Sequence, residues 1–222
     1  MNSPDFLAYL KAQTCIFWDW NGTLLDDLDY SLGISNHFFE LKGFEGLSKE
    51  SYQDVFTIPI SDYYDNLKLK EKNIDPEEVT DHYLSRYEAR RDTIPLFEGA
   101  FDCLEELRKE GVTQVLFSAA HISELEFQVK HHGISDFFEM LSGAGDFLGG
   151  SKLDRGRALQ EEYSFSKGVM VGDTLHDVEI GKEIGFETVW VSEGHQSLKR
   201  ASGQSFIDYI YDREENNFYR NN

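Results

Sequence analysis

A doubly wound parallel α/β sheet with an inserted α-helical cap is the fold this sequence predicts. Short apolar runs alternate with helical patterns along most of the chain, which implies parallel strands joined by helical crossovers. The stretch from Asp27 to Thr93 breaks the alternation: amphipathic helical patterns recur there and no convincing strand appears.

Taken in order, the first apolar run is Thr14–Trp18. Inside the insertion, Tyr30–Leu41 sets Leu32, Phe38, Phe39 and Leu41 among polar residues. Asp75-Pro76-Glu77-Glu78 supplies an N-cap, a proline at the first helical position and acids in the first turn. Val79, Tyr83, Leu84 and Tyr87 then recur at helical spacing. Ile94-Pro95-Leu96-Phe97-Glu98-Gly99 returns the chain to the main body, and the next helix, Ala100–Lys109, has apolar positions at Phe101, Leu104 and Leu107. The remaining strand candidates are Gly111–Phe117, Phe137–Leu141 (the weakest, equally a turn beside a helix), Gly168–Val171 and Thr188–Val191. Ser123–His131 and Leu175–Ile184 carry helical pattern, and His131-His132-Gly133 reads as a helix C-terminus. The polar tail from Asp212 is expected to fray. Residues 1–26 and 95–222 are thus expected to form a core domain and residues 27–94 a helical cap domain.

The chain has 222 residues, with 21 Lys+Arg against 41 Asp+Glu, a formal charge of −20. Such a charge disfavours a nucleic-acid partner, because affinity for phosphate backbones rests on clustered Lys and Arg. No apolar run approaches the roughly 18 residues that a membrane span needs. The opening residues do not read as a secretory signal. Cys15 and Cys103 are too few for a disulfide framework or a zinc site, so a cytoplasmic protein is expected.

In an open parallel sheet, ligands bind beyond the carboxyl ends of the strands. Asp19-Trp20-Asn21-Gly22-Thr23-Leu24-Leu25-Asp26-Asp27 follows the first strand, and Ser118 follows the second. Ser151-Lys152-Leu153-Asp154 precedes a later helix, and Gly172-Asp173-Thr174-Leu175-His176-Asp177 ends the next strand. Carboxylates gathered at strand ends repel unless a cation lies between them, and magnesium suits hard oxygen donors. A lysine and a hydroxyl beside that cation would hold an oxyanion, and one carboxylate could serve as a nucleophile. Each segment has a bland reading as a turn, a cap or a solvated lysine; their joint order carries the signal.

That order resembles the haloacid dehalogenase-like hydrolases, from Asp19 to Asp177 with a helical cap after the first motif. Phe17–Leu25, Gly172–Asp177 and Gly194-His195-Gln196-Ser197 look closest to the phosphoglycolate phosphatase-like branch. The resemblance implies a HAD-like Rossmannoid core and a magnesium-dependent phosphatase acting on small phosphorylated metabolites through an aspartyl-phosphate at Asp19. It implies a phosphate-binding set of Gly22, Ser118, Ala119 and Lys152, with Lys152 offsetting the clustered acids. It implies a metal set of Asp19, the backbone carbonyl of Asn21, Asp173 and Asp177.

One position departs from the pattern. The family's phosphatases usually place an acid–base aspartate two residues after the nucleophile, and here that residue is Asn21. An amide donates hydrogen bonds but is no carboxyl acid or base, and such help is typically worth about 10²–10⁴ in rate. Three readings stay open: substrates with good leaving groups such as acyl or aryl phosphates, replacement by His176, Asp26 or Asp27, or a weakened phosphometabolite-binding or regulatory protein. Deamidation at Asn21-Gly22 is a further route to the acid, visible as a gain of about one dalton. Haloacid dehalogenation is the remaining alternative, and Asp173 and Asp177 argue against it. If the missing acid alone limits the enzyme, Asn21→Asp is expected to raise turnover of poor leaving groups.

Further expectations concern the surroundings. Phe38, Phe39, Phe56, Tyr63, Tyr64, Tyr83 and Tyr87 should build the cap's small core and its seam with the main domain. Trp18 and Trp20 should point away from Asp19 by strand alternation, with Trp20 either in the core or lining the pocket roof. Arg86 and Arg90 share a helical face, as solvated charges or near a substrate carboxylate. Gly194–Ser197 should face the site side of the sheet, within reach of ligand or cap.

Overall fold

A computed structural model describes residues 1–145, 150–165 and 167–221. The chain begins with α1 (Pro4–Lys11) and β1 (Cys15–Trp18). Four helices follow without a strand: α2 (Leu28–Leu41), α3 (Lys49–Val55), α4 (Ile60–Asn66) and α5 (Pro76–Arg90). The chain continues through α6 (Ala100–Lys109), β2 (Thr113–His121), α7 (Ile122–His131) and β3 (Met140–Ala144). Then come α8 (Lys152–Tyr163), β4 (Gly168–Gly172), α9 (Leu175–Glu183) and β5 (Glu187–Val191). It closes with α10 (Leu198–Ala201), β6 (Tyr209–Asp212) and β7 (Asn217–Arg220).

The four residues of β1 are apolar and all buried, as a strand covered on both faces requires. It is paired in parallel with β2 on one side and β4 on the other. The full sheet runs β3-β2-β1-β4-β5-β6-β7, parallel through β6, with β7 antiparallel. The strand order reverses at β1, so its carboxyl end opens onto the crevice between outward-winding halves.

Alternation along β1 divides the core. Ile16 and Trp18 join the apolar side chains of α1, α6 and α7, including Phe6, Leu10, Leu104, Leu107 and Leu125. Cys15 and Phe17 join Leu159 of α8, Ile180 of α9 and Phe186 on the other face. Helices α2 to α5 have their own core, which includes Leu32, Phe38, Phe39, Tyr63 and Val79. Tyr87 instead packs with the main core, and Phe56 lies 4.9 Å ring to ring from His195, so these two aromatics form the seam. Two short linkers join cap to core side by side: Asp26 N–H donates to Pro95 O at 2.9 Å and Phe97 N–H to Leu24 O at 2.9 Å.

Three elements differ from the sequence reading. The third strand begins at Met140 rather than Phe137. Ser135–Phe137 is a 3₁₀ turn, held where the Phe137 ring meets Phe101 at 5.2 Å. Pro4–Lys11 is a helix, started by Ser3 capping the Phe6 N–H and fixed by the fully buried Phe6 and Leu10. The tail forms a hairpin rather than fraying. Phe218 packs against Phe6 at 5.3 Å, Tyr9 at 5.1 Å and Tyr209 at 5.4 Å, which gives the hairpin an aromatic floor. Among the described residues, no helix is long and apolar enough to cross a membrane.

Candidate active site

Asp19 directly follows β1 and is 7% exposed. Lys152 is the first residue of α8, whose start is set by a reciprocal Ser151–Asp154 capping box. Asp173 directly follows β4, and Asp177 lies in the first turn of α9, where Thr174 and Asp177 form a second capping box. These local devices bring the four side chains together. Lys152 Nζ donates to Asp19 Oδ1 at 2.6 Å and to Asp177 Oδ1 at 2.6 Å. Asp19, Asp173 and Asp177 each offer a carboxylate oxygen, all within 4.8 Å of one another.

The electrostatics follow from burial. Desolvation, then the charge of Asp177, pushes the Asp19 carboxyl up to about 8, although Lys152 pulls the other way. Asp173 is pushed up to about 6, mainly by burial. Burial also works against the Lys152 ammonium, but Asp177 and Asp19 outweigh it and its pKa is raised. Crowding three acids into one buried site is what holds protons on Asp19 and Asp173, and the trio's oxygens are hard donors of the kind divalent magnesium takes.

Gly22 keeps the loop after Asp19 tight. Its φ is +70°, and a Cβ there would lie 2.4 Å from Asp173 Oδ2 and 2.7 Å from His195 Cδ2. Thr23 Oγ1 donates to Asp173 Oδ1 at 3.0 Å, and the His195 N–H donates to Asp173 Oδ2 at 2.6 Å. Ser118 ends the buried part of β2 and accepts the Ala120 N–H at 3.1 Å, while Ala119 is exposed. Trp18 and Trp20 are both fully buried, so Trp20 is core rather than pocket roof.

Asn21 turns its amide away from Asp19's carboxylate partners. Nδ2 donates to Asp27 Oδ2 at 2.7 Å and to Tyr87 Oη at 2.9 Å. Of the three groups considered as its replacement, Asp27 is therefore the one in contact. Asp26 is exposed, and His176 is half-buried with its pKa lowered by desolvation. Asp27 is fully buried; burial opposes its charge, but His195 and donors from Asn21 and Gly22 hold its carboxyl below the usual range.

Sequence reasoning placed Gly194–Ser197 on the site side but missed its partners, and missed Arg213 altogether. His195 Nε2 lies 3.0 Å from Asp27 Oδ1 and Nδ1 lies 2.8 Å from Tyr52 Oη of the cap. Against burial, Asp27 raises the His195 pKa to about 9. Gly194–Ser197 is the landing place of α3: Gln53 Nε2 donates to Gly194 O at 2.8 Å, and Gln196 Nε2 to Phe56 O at 2.9 Å. Arg213 of the C-terminal hairpin stacks on Phe97 at 3.6 Å. It donates to Gly22 O at 3.0 Å, to Ser192 O at 2.7 Å and to Thr23 O. Nothing local in the sequence announces the Tyr52 and Arg213 contacts. Arg86 and Arg90 are exposed, and Arg86 Nε donates to His82 at 2.9 Å.

Comparison with known proteins places this geometry. The tyrosine-protein kinase PtkA of Mycobacterium tuberculosis is 28% identical over 194 residues, 83% of this chain. The chain spans only 64% of that relative's length. The pyrophosphatase PpaX of Bacillus velezensis is 23% identical over 209 residues, covering 91% of this chain and 95% of PpaX. A solved haloacid dehalogenase-like hydrolase from Streptococcus pneumoniae, SP0104, superposes with a TM-score of 0.73 at 21% identity, over 90% of this chain and 94% of that one. The family model described as haloacid dehalogenase-like hydrolase matches residues 16–191. With most of its length matched and its acids grouped at the sheet's reversal point, the chain belongs to the haloacid dehalogenase-like hydrolases.

Proposed function

We propose that the protein is a magnesium-dependent phosphatase of small phosphorylated metabolites, working through an aspartyl-phosphate at Asp19. The observation that carries this reading is the buried Lys152 ammonium held between Asp19 and Asp177, with Asp173 closing the carboxylate trio. An Asp19 carboxylate oxygen would attack phosphorus as the bond to the leaving oxygen breaks, and water would then cleave the aspartyl–phosphorus bond to release phosphate. Lys152 offsets charge on the phosphoryl oxygens, and Ser118 with the backbone around Gly22 and Ala119 would hold them. Asp19, Asp173, Asp177 and the Asn21 backbone carbonyl would hold magnesium, which when bound supplies further positive charge to the transferring group. The cap would exclude water from the strand ends. Residues 27–94 are the proposed cap and residues 1–26 and 95–222 the core. The setting proposed is the cytoplasm, consistent with two free, buried cysteines.

Asn21 narrows the substrates. With no carboxyl acid at that position, good leaving groups such as acyl, aryl or phosphoanhydride phosphates are favoured. The likeness to a protein named as a pyrophosphatase supports an activated phosphoryl group. The test is a magnesium-dependent time course on acetyl phosphate and p-nitrophenyl phosphate, with Asp19→Asn as the blank. Turnover that the blank lacks is expected. Equal rates in both proteins on both compounds would overturn the reading and favour a phosphometabolite-binding protein.

A further inference from the structure

Asp27 lies where the chain leaves the core for the cap. It is the residue before α2, yet its side chain caps no backbone N–H of that helix. A buried carboxylate costs several kcal/mol unless donors surround it, and this one takes donors from both sides of the seam instead. From the loop after Asp19 come Asn21 Nδ2 at 2.7 Å and the Gly22 N–H at 2.9 Å. From the core loop beyond β5 comes His195 Nε2 at 3.0 Å. From the cap come Tyr87 O–H at 3.1 Å and Ser31 Oγ at 3.3 Å. The set is complete only while α5 rests on the core. Displacing the cap would strip the Tyr87 hydroxyl from both residues, as donor to Asp27 and as acceptor from Asn21 Nδ2, and the Tyr52 hydroxyl from His195.

The two oxygens divide the work. Oδ1 receives the core donors Gly22 and His195, and Oδ2 receives Asn21, Tyr87 and Ser31. An amide at position 21 is therefore the complement of the carboxylate at position 27. A second carboxylate at position 21 would set two anions within 2.7 Å of each other.

We propose that Asp27 is a positioning residue that ties the loop following Asp19 to the closed cap, with Asn21 as its required amide partner. The kinetic arm of this proposal rests on the phosphatase reading. On this geometry Asn21→Asp alone breaks the junction rather than repairing the enzyme. Combining it with Asp27→Asn exchanges the pair. The amide oxygen at position 27 stays on the Gly22 and His195 side, and its NH₂ faces the new carboxylate.

The experiment compares wild type, Asn21→Asp, Asp27→Asn, the exchanged double variant and Tyr87→Phe. Four quantities are read: kcat and KM on acetyl phosphate with magnesium, amide hydrogen exchange at Gly22, and Tm. Asn21→Asp should lower kcat about tenfold or more with KM within about threefold, one decade being about 1.4 kcal/mol. The double variant should return kcat and Gly22 protection to within about threefold of wild type. Tyr87→Phe, which removes a single cap hydroxyl and serves if the charge variants fold poorly, should speed Gly22 exchange several-fold with little change in Tm. A Gly22 amide unmoved by Tyr87→Phe overturns the proposal, as does a double variant no better than its component singles. Hydrogen exchange keeps the two failures apart. If wild type turns over no faster than Asp19→Asn, the phosphatase reading falls, and the Gly22 amide alone decides the role of Asp27.

Discussion

Lys152 is the cation shared by two buried carboxylates, Asp19 and Asp177, with Asp173 beside them, and its removal leaves these acids facing one another. Lys152→Met is expected to destabilise the metal-free protein by about 3–5 kcal/mol, the usual effect of stranding a buried charge. Urea titration in EDTA measures it, and an unchanged midpoint would mean that the trio is neutral without the lysine. Gly22→Ala forces a side chain into a positive-φ position whose Cβ would lie 2.4 Å from Asp173. A loss of about 2–4 kcal/mol together with turnover is expected, read by denaturation and rate. The four charged residues of the site were legible in the sequence because each stands beside the end of a strand or the start of a helix. Asp27, by contrast, was only one of three candidates; His195 stood within a segment expected near ligand or cap, Tyr87 among the aromatics of the cap and its seam, and Tyr52 was silent. Their meaning depends on contacts such as Asp27–His195 that span most of the chain, which no local pattern encodes.

At the scale of elements, local chemistry and tertiary packing divided the outcome. The α5 start was readable because its signals are local: Asp75 Oδ1 accepts the Glu77 N–H at 3.0 Å, and Pro76 occupies the first helical position. Asp75→Ala should lower stability by about 1 kcal/mol, measurable as a shift in Tm. The C-terminal hairpin could not be read from its own polar residues, since an aromatic floor supplied by α1 holds it. The strand at Met140–Ala144 was misplaced for a related reason: Phe137 is apolar because it anchors a turn against α6, not because it extends. Phe218→Ala is therefore expected to cost about 1–3 kcal/mol and to raise amide exchange across β7, with β1 and β4 unaffected. Uniform loss of protection over all strands would instead make the hairpin integral to the central sheet.

Across the whole molecule, stability should depend on pH through the site's own charge. Asp19 and Asp173 have folded pKa values raised from 3.8 to about 8 and about 6, chiefly by burial. The folded protein then keeps protons that the unfolded chain releases, so stability falls as pH climbs from about 4 to about 8. His195, raised to about 9, adds stability below its unfolded value that is lost as pH rises through 9, in the same direction. The metal-free protein is expected to melt lower at pH 8 than at pH 5. Magnesium should restore more at pH 8, where it meets ionised carboxylates; at a hundredfold excess over its dissociation constant the gain is about 2.7 kcal/mol. Thermal scans with EDTA or magnesium at both pH values check this, and an equal magnesium shift at both would count against the carboxylate site. The alternation of strands and helices made the architecture legible, whereas the way the cap seats on Gly194–Ser197 depends on surfaces that only the folded chain presents.

Arg213 gives the molecule an order of assembly in time. A chain leaving the ribosome exposes Asp19 and its loop early, yet the guanidinium that gathers the carbonyls of Gly22 and Thr23 emerges almost two hundred residues later. Nascent chains stalled before residue 213 would already contain the four acidic and basic groups of the site, held by a loop with one of its clamps missing. The first motif to be translated is thus clamped by one of the last residues of the fold to emerge.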